Sequence, residues 1–502
     1  MSQWKQSAAL KPLVIGAALV AVLIFEIAQF PIFVDEAVHI WWVQRILSNS
    51  EWLRPMNVGK PLEAWFPVPF VALGADPLSA MRMLHVAAGA LVVLITYWLG
   101  RQMLTPRISF LSAALVAVSP FVVFFARMAL AEIYLCLGYA ITLLGVALFW
   151  RTQSWRNAAL LGGGLLFSAF AKFPVGFVAT IALPLAVMCM TESERLLLFQ
   201  RHAVHKLIWA YLPTIGLLLI VVFVAIVRIR SGESPGFGLW LVEGQTHACD
   251  RWSQVTTNLG LLMDVLVGWY SLPVVFLAIS GILLAVTCRQ ARLRWIALTA
   301  CIPLIALMIL ATEWSSRYLV FVIPSLILAA CGGWSALVSR VPSGMSWVRP
   351  LGIVIAGFAL VVLSYLTALL LVAPLEFPWP QHEKAEYVSD WPSGFGFAAA
   401  ADFVEQQAIP FPIFALQVGT AKQFETYIAP SQRQRVEQLQ LQDGRPLSLA
   451  EQCDVMAGYP GGWLISTHPI ELGESCHPAL FDKVKEFARP FNGVPVVLYR
   501  IR

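Results

Sequence analysis

Apolar runs long enough to cross a lipid bilayer recur along this chain and leave it few ways to fold. Of its 502 residues, 59% are hydrophobic and only 13% are charged, whereas a soluble domain carries about 25% charged residues. So much apolar surface requires a lipid environment, where helices of about 20 residues satisfy their own backbone hydrogen bonds. The sequence therefore predicts a polytopic α-helical membrane protein.

Eleven segments meet this length requirement, and together they form a predicted membrane domain at residues 1–375. The first is longer than the apolar core of a signal peptide and no small-residue cleavage site follows it, so we interpret it as a retained helix. The loop after it, residues 34–79, is long enough to carry a helix on the membrane surface. The predicted spans are residues 12–33, 80–100, 108–126, 130–150, 157–171, 174–191, 207–227, 260–286, 295–311, 318–338 and 351–373.

Basic residues predict the orientation of these spans. If the N-terminus is cytoplasmic, every predicted inner connection carries at least two Lys or Arg residues, as cytoplasmic loops do. An odd number of spans then places the C-terminal part on the outer side. The sequence thus predicts a multi-pass protein of the cell membrane, and a net charge of +5 gives no reason to expect a nucleic-acid partner.

Residues 376–502 differ in composition from the rest of the chain. They are richer in charged residues and Gln, and short runs of β-type residues alternate with helical ones. This pattern predicts a small α/β domain outside the membrane. We predict strands at residues 412–418, 462–467 and 494–501, and helices at 397–407 and 478–487.

Two of the eight cysteines, Cys453 and Cys476, lie in this C-terminal region. In an oxidising compartment they either form a disulfide or remain two thiols. The cysteines show no CxxC motif and no zinc-type spacing, and the sequence has no P-loop, G-x-S-x-G, HExxH or acidic D-x-D in the first loop. The residues therefore require no metal or other cofactor.

Ionisable residues gather at the predicted outer ends of the helices, where an unpaired charge is costly. Lys172 is the clearest case, because residues 157–171 form a helix of only about 22 Å against a hydrocarbon core of about 30 Å. Its turn should lie below the outer surface, in a cavity that tolerates charge. The whole set is Asp35, Glu36, His39, Lys60, Glu63, Arg82, His85, Arg127, Glu132, Lys172 and Arg317.

Charges of both signs at one depth suit group transfer from a lipid-linked phosphate. Lys and Arg bind phosphate oxygens, and a carboxylate removes the proton of an attacking hydroxyl or amine. Structural roles remain open for most of these residues: a helix cap or first-turn acid, a packed histidine, an interfacial anchor, or an ion pair with a neighbour. The residues with such alternatives are Asp35, Glu36, His39, Lys60, Glu63, Arg82, His85, Arg127, Glu132 and Arg317.

Five short segments occur in a fixed order along residues 10–340. Each contains one or more of the charged residues above, and all fall on the predicted outer side. They are Asp35-Glu36; Lys60-Pro61-Leu62 with Trp65 and Arg82; Ala126-Arg127 with Glu132; Ala171-Lys172-Phe173-Pro174-Val175-Gly176; and Arg317-Tyr318 with Pro324.

In order and placement these segments resemble those of the GT-C integral membrane glycosyltransferases. The similarity is greatest to dolichyl-phosphate-mannose protein mannosyltransferases (glycosyltransferase family 39) and bacterial lipid A aminoarabinose transferases (family 83). The resemblance implies an inverting hexosyl or pentosyl transferase that uses a polyprenyl-phosphate sugar donor and an unspecified lipid, glycan or protein acceptor. It implies Asp35 as general base or its partner, beside Glu36, with Glu132 as a second acid. It assigns the donor phosphate to Lys60, Arg82, Arg127, Lys172 and Arg317.

The chain departs from the family pattern at three positions. Gly59 stands where relatives often have an acidic residue, Leu62 replaces a second proline, and Phe173 replaces a glycine. The missing acid counts against a bound metal. His39 and Glu63 remain candidates for contact with a metal or with substrate.

Two other classes of function remain open at this stage. A transporter or flippase for an anionic polyprenyl or sugar lipid would place its charges near the middle of the membrane. A structural or sensor protein would act through its outer domain. The acid and base residues at the outer boundary favour the enzyme.

Overall fold

The computed structural model describes residues 24, 27, 30–231, 236, 251–311, 315–340, 348–407, 412–428, 433, 436–438, 449–467 and 480–502. Internal contacts divide the chain into two units. The first unit comprises Met1–Ile27 and Ile46–Pro378, and the second comprises Ala28–Arg45 and Trp379–Arg502. The helix that follows the first predicted span is divided between them.

The described part of the first unit is helical. Two 3₁₀ helices, Val175–Ile181 and Ser316–Val322, lie among the α-helices. In chain order the α-helices are α1 Val34–Asn49, α2 Arg54–Val58, α3 Pro61–Trp65, α4 Val68–Ala72, α5 Pro77–Gly100, α6 Pro106–Ala117, α7 Pro120–Arg127, α8 Glu132–Arg151, α9 Trp155–Ala171, α10 Ala182–Cys189, α11 Glu192–Leu198, α12 Arg201–Arg230, α13 Arg251–Tyr270, α14 Leu272–Thr287, α15 Ala291–Leu310, α16 Ile323–Arg340 and α17 Val348–Val372.

Among the described residues, six helices are long and apolar enough to cross a membrane, or up to eight if each bent pair is one span. The bent pairs are α6 with α7, at 55°, and α13 with α14, at 112°. The predicted number of eleven is thus not confirmed. Most of the predicted span 12–33 lies outside the described residues, and the segment 174–191 is a 3₁₀ helix followed by the short α10.

The prediction of one continuous helix at residues 260–286 is wrong. The structure has two helices, α13 and α14, that meet at Ser271. Ser271 has a positive φ of 66°, which no α-helix allows, and Pro273 follows in the first turn of α14, where the missing N–H costs nothing. The apolar run continues through the bend, so hydropathy alone does not show it.

Helices α8 and α9 approach closely through small residues. A Cβ atom added at Gly138 would lie 2.7 Å from the backbone N of Ser168, and one added at Gly164 would lie 2.6 Å from the backbone N of Thr142. Small residues allow membrane helices to pack backbone against backbone, which is the main source of their association in lipid. This pair positions the two helix ends that carry Glu132 and Lys172.

We predict that Gly164→Ala destabilises the protein and Gly163→Ala does not. The added methyl at position 164 meets backbone, which cannot move aside, whereas nothing lies within 4 Å of a Cβ at Gly163. Overpacking of this kind costs about 1–3 kcal/mol. The measurement is the unfolding midpoint of the two purified variants in detergent. Equal midpoints would contradict the close packing of α8 and α9.

The described part of the second unit is an α/β domain, preceded in the chain by the start of α1. Its sheet has the strand order β2-β1-β3-β5-β4. β1 is parallel to β2 and β3, and β5 is antiparallel to β3 and β4. The strands are β1 Ile413–Ala415, β2 Val436–Gln438, β3 Trp463–Ser466, β4 Phe481–Arg489 and β5 Gly493–Ile501, and the α-helices are α18 Gln381–Lys384, α19 Phe397–Gln406, α20 Val418–Tyr427 and α21 Leu449–Ala457.

Both faces of this sheet are covered, because alternate strand residues point to opposite sides. On one face Ile465 packs with Phe397 of α19 and Phe424 of α20. On the other face Leu464 packs with Met456 of α21. The three strands predicted at residues 412–418, 462–467 and 494–501 are present, as is the helix predicted at 397–407.

The helix predicted at residues 478–487 is wrong. The structure has the strand β4, Phe481–Arg489, paired antiparallel with β5. β4 lies at the edge of the sheet, and its exposed residues include Lys483 and Lys485, as is typical of edge strands that avoid pairing with other chains. Its charged residues resemble a solvated helix face, and pairing with β5 overrides that local pattern.

Cys453 of α21 is disulfide-bonded. Cys476, for which the sequence leaves a disulfide with Cys453 or a thiol open, lies outside the described residues.

Candidate functional site

One carboxylate and three cations come together in the described part of the first unit. Lys172 Nζ donates a hydrogen bond to Glu132 Oε1, and Arg317 Nε lies 3.8 Å from the same oxygen. The charge of Lys60 also acts on this carboxylate. Glu132 is 2% exposed and Lys172 is 4% exposed. We call Lys60, Glu132, Lys172 and Arg317 the charge cluster.

Each member of the charge cluster stands at the end of a helix. Glu132 is the first residue of α8, where the helix dipole favours a negative charge. Lys172 follows the last residue of α9 in an extended conformation, because Pro174 two residues later disfavours further helix. Arg317 lies in the first turn of the 3₁₀ helix Ser316–Val322. Lys172 is buried, as the sequence predicts.

A backbone hydrogen bond joins the segments that carry Lys60 and Lys172. The N–H of Phe173 donates to the carbonyl oxygen of Gly59 at 2.8 Å. Gly59 ends α2 with a φ of +84°, a left-handed conformation that favours glycine. The departure from the family pattern at this position thus has a conformational reason, and the bond fixes the two lysine segments side by side.

Tyr318 is a member of this site that the sequence analysis did not assign. Lys172 Nζ lies 4.2 Å from the centre of the Tyr318 ring, and Arg317 Cζ lies 5.9 Å from it. An aromatic face stabilises cations at such distances. The signal was present in the sequence, since Tyr318 directly follows Arg317, but nothing local shows that the ring faces Lys172.

Within the charge cluster, three cations act on one carboxylate. Cations that lie together at one place attract an anionic ligand. Lys and Arg side chains together provide a point charge and a planar pair of donors. A phosphate group has the negative charge and the acceptor oxygens that bind to both kinds of side chain.

The structure places Arg82 and Arg127 in buried positions on α5 and α7. Arg82 Nη1 donates to the carbonyl oxygen of Ile27 at 2.8 Å. Arg127 lies in the last turn of α7, where the helix dipole favours a cation. Both side chains are less than 5% exposed. Their assignment to a donor phosphate stays a prediction.

Glu63 and His85 form a second buried pair. His85 Nε2 lies 3.1 Å from the Glu63 carboxylate, and His85 Nδ1 lies 2.7 Å from the carbonyl oxygen of Met81. A carbonyl oxygen only accepts, so Nδ1 carries the hydrogen. A hydrogen bond between Nε2 and the carboxylate then requires one further proton, carried by the imidazole or by Glu63. The alternative that Glu63 pairs with a neighbour is therefore supported.

We predict that the protein is more stable when both members of the pair are replaced than when only one is. His85→Leu leaves the buried Glu63 without its imidazole partner, and loss of one partner of a buried pair costs about 3–5 kcal/mol. The double variant Glu63→Leu/His85→Leu should recover much of this loss. The measurement is the unfolding midpoint of Glu63→Leu, His85→Leu and the double variant. If the effects of the two single substitutions add up in the double variant, the pairing is contradicted.

Asp35, Glu36 and His39 lie in the part of α1 that belongs to the second unit. The helix begins at Val34, so Asp35 is a first-turn residue and not the cap. Glu36 is buried and its Oε2 accepts from the N–H of Phe33 at 3.0 Å. The His39 ring packs 4.8 Å from that of Trp42. Among the described residues, no group of three or more His, Cys, Asp or Glu is arranged to hold a metal.

Comparison with known proteins identifies the fold. Residues 33–229 match the family model described as dolichyl-phosphate-mannose-protein mannosyltransferase. The structure is similar to that of ArnT from Cupriavidus metallidurans bound to undecaprenyl phosphate, with a TM-score of 0.58 and 15% identity over 99% of this chain and 98% of that one. Curated protein sequences contain no match.

Two further solved structures have the same fold. AglB, the oligosaccharyltransferase of Archaeoglobus fulgidus, in complex with an inhibitory peptide and a dolichol-phosphate, gives a TM-score of 0.52 at 12% identity, over 86% of this chain and 65% of that one. A mutant of arabinofuranosyltransferase AftD from Mycobacteria gives 0.50 at 14% identity, over 97% of this chain and 41% of that one. The resemblance to GT-C glycosyltransferases inferred from the motifs is confirmed.

Proposed function

We propose that this multi-pass membrane protein, which has the GT-C fold, is an inverting glycosyltransferase that uses a polyprenyl-phosphate sugar. The charge cluster carries the proposal. It gathers Lys60, Lys172 and Arg317 around Glu132 in a buried position, and a phosphate is the polar group of such a donor.

In this reaction the bond between the anomeric carbon of the sugar and the phosphate oxygen breaks. The departing polyprenyl phosphate takes the electron pair and gains negative charge, which Lys60, Lys172 and Arg317 stabilise. The acceptor hydroxyl or amine attacks from the opposite face of the sugar, and its proton passes to Asp35 as general base. The configuration at the anomeric carbon is therefore inverted.

The contacts of Glu132 support a positioning role within this scheme. Its carboxylate accepts from Lys172 and faces Arg317, so it holds two cations in the geometry that a phosphate needs. Both would lose this partner in a Glu132 variant. We propose that Glu132 acts mainly through these cations and not as a second acid on the sugar.

The related structures support the class of donor. ArnT was solved bound to undecaprenyl phosphate and AglB with a dolichol-phosphate, and both ligands are phosphates on a polyprenyl chain. We propose the same carrier class here, with a hexose or a pentose as the sugar. The distribution of Lys and Arg supports transfer on the outer face, with the N-terminus in the cytoplasm.

We predict that the purified protein releases free polyprenyl phosphate from one member of a panel of radiolabelled polyprenyl-phosphate sugars when membrane extract supplies the acceptor. Lys172→Met should lower this activity about 10²-fold or more, as loss of one preorganised charge contact does. Lys483→Met, which alters a half-exposed lysine of β4, is the control. Transport of intact lipid without cleavage of any donor would overturn the proposal of an enzyme and favour that of a transporter.

We predict that Asp35→Asn lowers kcat about 10²–10⁴-fold, because the amide has nearly the same shape but does not accept the acceptor's proton. Asp402→Asn, at an exposed position of α19, is the control and should behave as wild type. The measurement is the steady-state rate with the donor found in the panel. Normal turnover of Asp35→Asn at normal expression would exclude Asp35 as the base.

A further inference from the structure

The segment just before Asp35 is bound by helix α20 of the same unit. The N–H of Ile32 donates to the hydroxyl of Tyr427 at 2.7 Å. The carbonyl oxygen of Ile32 accepts from Gln423 Nε2 at 3.0 Å. Both backbone hydrogen-bonding groups of one residue are thus satisfied by side chains of α20, nearly 400 positions later in the sequence.

Three residues of α20 form one docking stripe, Gly419, Gln423 and Tyr427. They are four positions apart, so they lie on one face of the helix. A Cβ atom at Gly419 would collide with Cγ2 of Val34. Glycine at this position therefore lets Val34 lie directly against the helix, while the other two residues bind Ile32.

The loop after the π-helix Ala385–Ser389 completes the contact. The carbonyl oxygen of Pro392 accepts from the N–H of Val34 at 3.1 Å and from Gln423 Nε2 at 2.9 Å. A Cβ atom at Gly394 would lie 2.8 Å from the backbone N of Ile32. Gln423 thus joins the segment and the loop with one amide group.

Aromatic contacts hold the same segment on both sides of Ile32. The ring of Phe33 lies 5.0 Å from that of Tyr387, and the ring of Phe30 lies 5.9 Å from that of Trp379. Ring pairs at these distances add to the free energy of apolar burial. Backbone and side chains of the segment are therefore both fixed by the α/β domain.

We propose that the docking stripe positions Asp35, so that the α/β domain takes part in catalysis by holding the base. Asp35 directly follows Val34, and consecutive Cα atoms are about 3.8 Å apart, so fixing Ile32 and Val34 fixes the backbone of Asp35. Gln423 and Gly419 are then positioning residues. This inference rests on the proposed glycosyltransferase function, with Asp35 as its base.

A disulfide tests the docked geometry without any activity assay. A Cβ atom at Gly419 would lie 3.9 Å from the Cβ of Val34, and disulfides join Cβ atoms about 3.8 Å apart. Val34→Cys/Gly419→Cys should therefore cross-link in oxidised membranes, as detected by mass spectrometry of the joined peptides. Absence of the cross-link in folded protein would overturn the docking.

Kinetics tests the positioning role. Gln423→Leu removes the hydrogen bonds to Ile32 and Pro392, so it should lower kcat at least tenfold while the KM for the donor stays within about twofold. The KM should change little because the proposed phosphate ligands belong to the charge cluster of the other unit. Gln406→Leu, at an exposed position of α19, is the matched control. Unchanged kcat in Gln423→Leu would overturn the proposal.

Rescue of kcat by the cross-link distinguishes a positioning role of Gln423 from general damage to the domain. In the triple variant Gln423→Leu/Val34→Cys/Gly419→Cys, kcat should be higher when oxidised than when reduced, because the cross-link replaces the lost hydrogen bonds. Wild type assayed in both states controls for reduction of the bond at Cys453. Equal rates in the two states would count against positioning. If wild-type protein cleaves no donor, the proposed function and the catalytic role both fail, whereas a cross-link would still show the docking.

Discussion

The buried Glu132 carboxylate is the contact on which the site of the first unit depends. Lys172 and Arg317 both approach it, and a lysine that is only 4% exposed needs such a partner to stay charged. One side chain thereby holds together the start of α8, the turn after α9 and a late 3₁₀ helix. The same contact holds together the cations to which we assign the donor phosphate.

Local patterns predicted the parts of this arrangement that depend on chain length and spacing. The short helix at 157–171 implied a buried Lys172, since a helix that fails to cross the bilayer leaves its end inside. The order of the charged segments implied the GT-C fold. Strands such as β3 and β5 followed from runs of β-type residues between turn residues, and the structure contains them.

Other features depend on contacts that no local pattern contains. The bend at Ser271 lies within an uninterrupted apolar run, and β4 is a strand because β5 pairs with it. His85 pairs with Glu63, which no pattern next to either residue shows. The division of the chain is the largest such feature, because the segment around Ile32 joins a domain formed by residues close to the C-terminus.

Burial distinguishes the two adjacent carboxylates of α1. Glu36 is buried, and its oxygen accepts from the N–H of Phe33 at the start of α1, which occupies it in stabilising the helix end. Asp35 is only half-buried, and a base must be reached by the group whose proton it removes. The docking of Ile32 and Val34 orders the backbone on the N-terminal side of Asp35, and Glu36 orders it on the other. General-base catalysis requires an ordered backbone and a side chain that the acceptor can reach, so the more exposed Asp35 suits the proposed role better than Glu36.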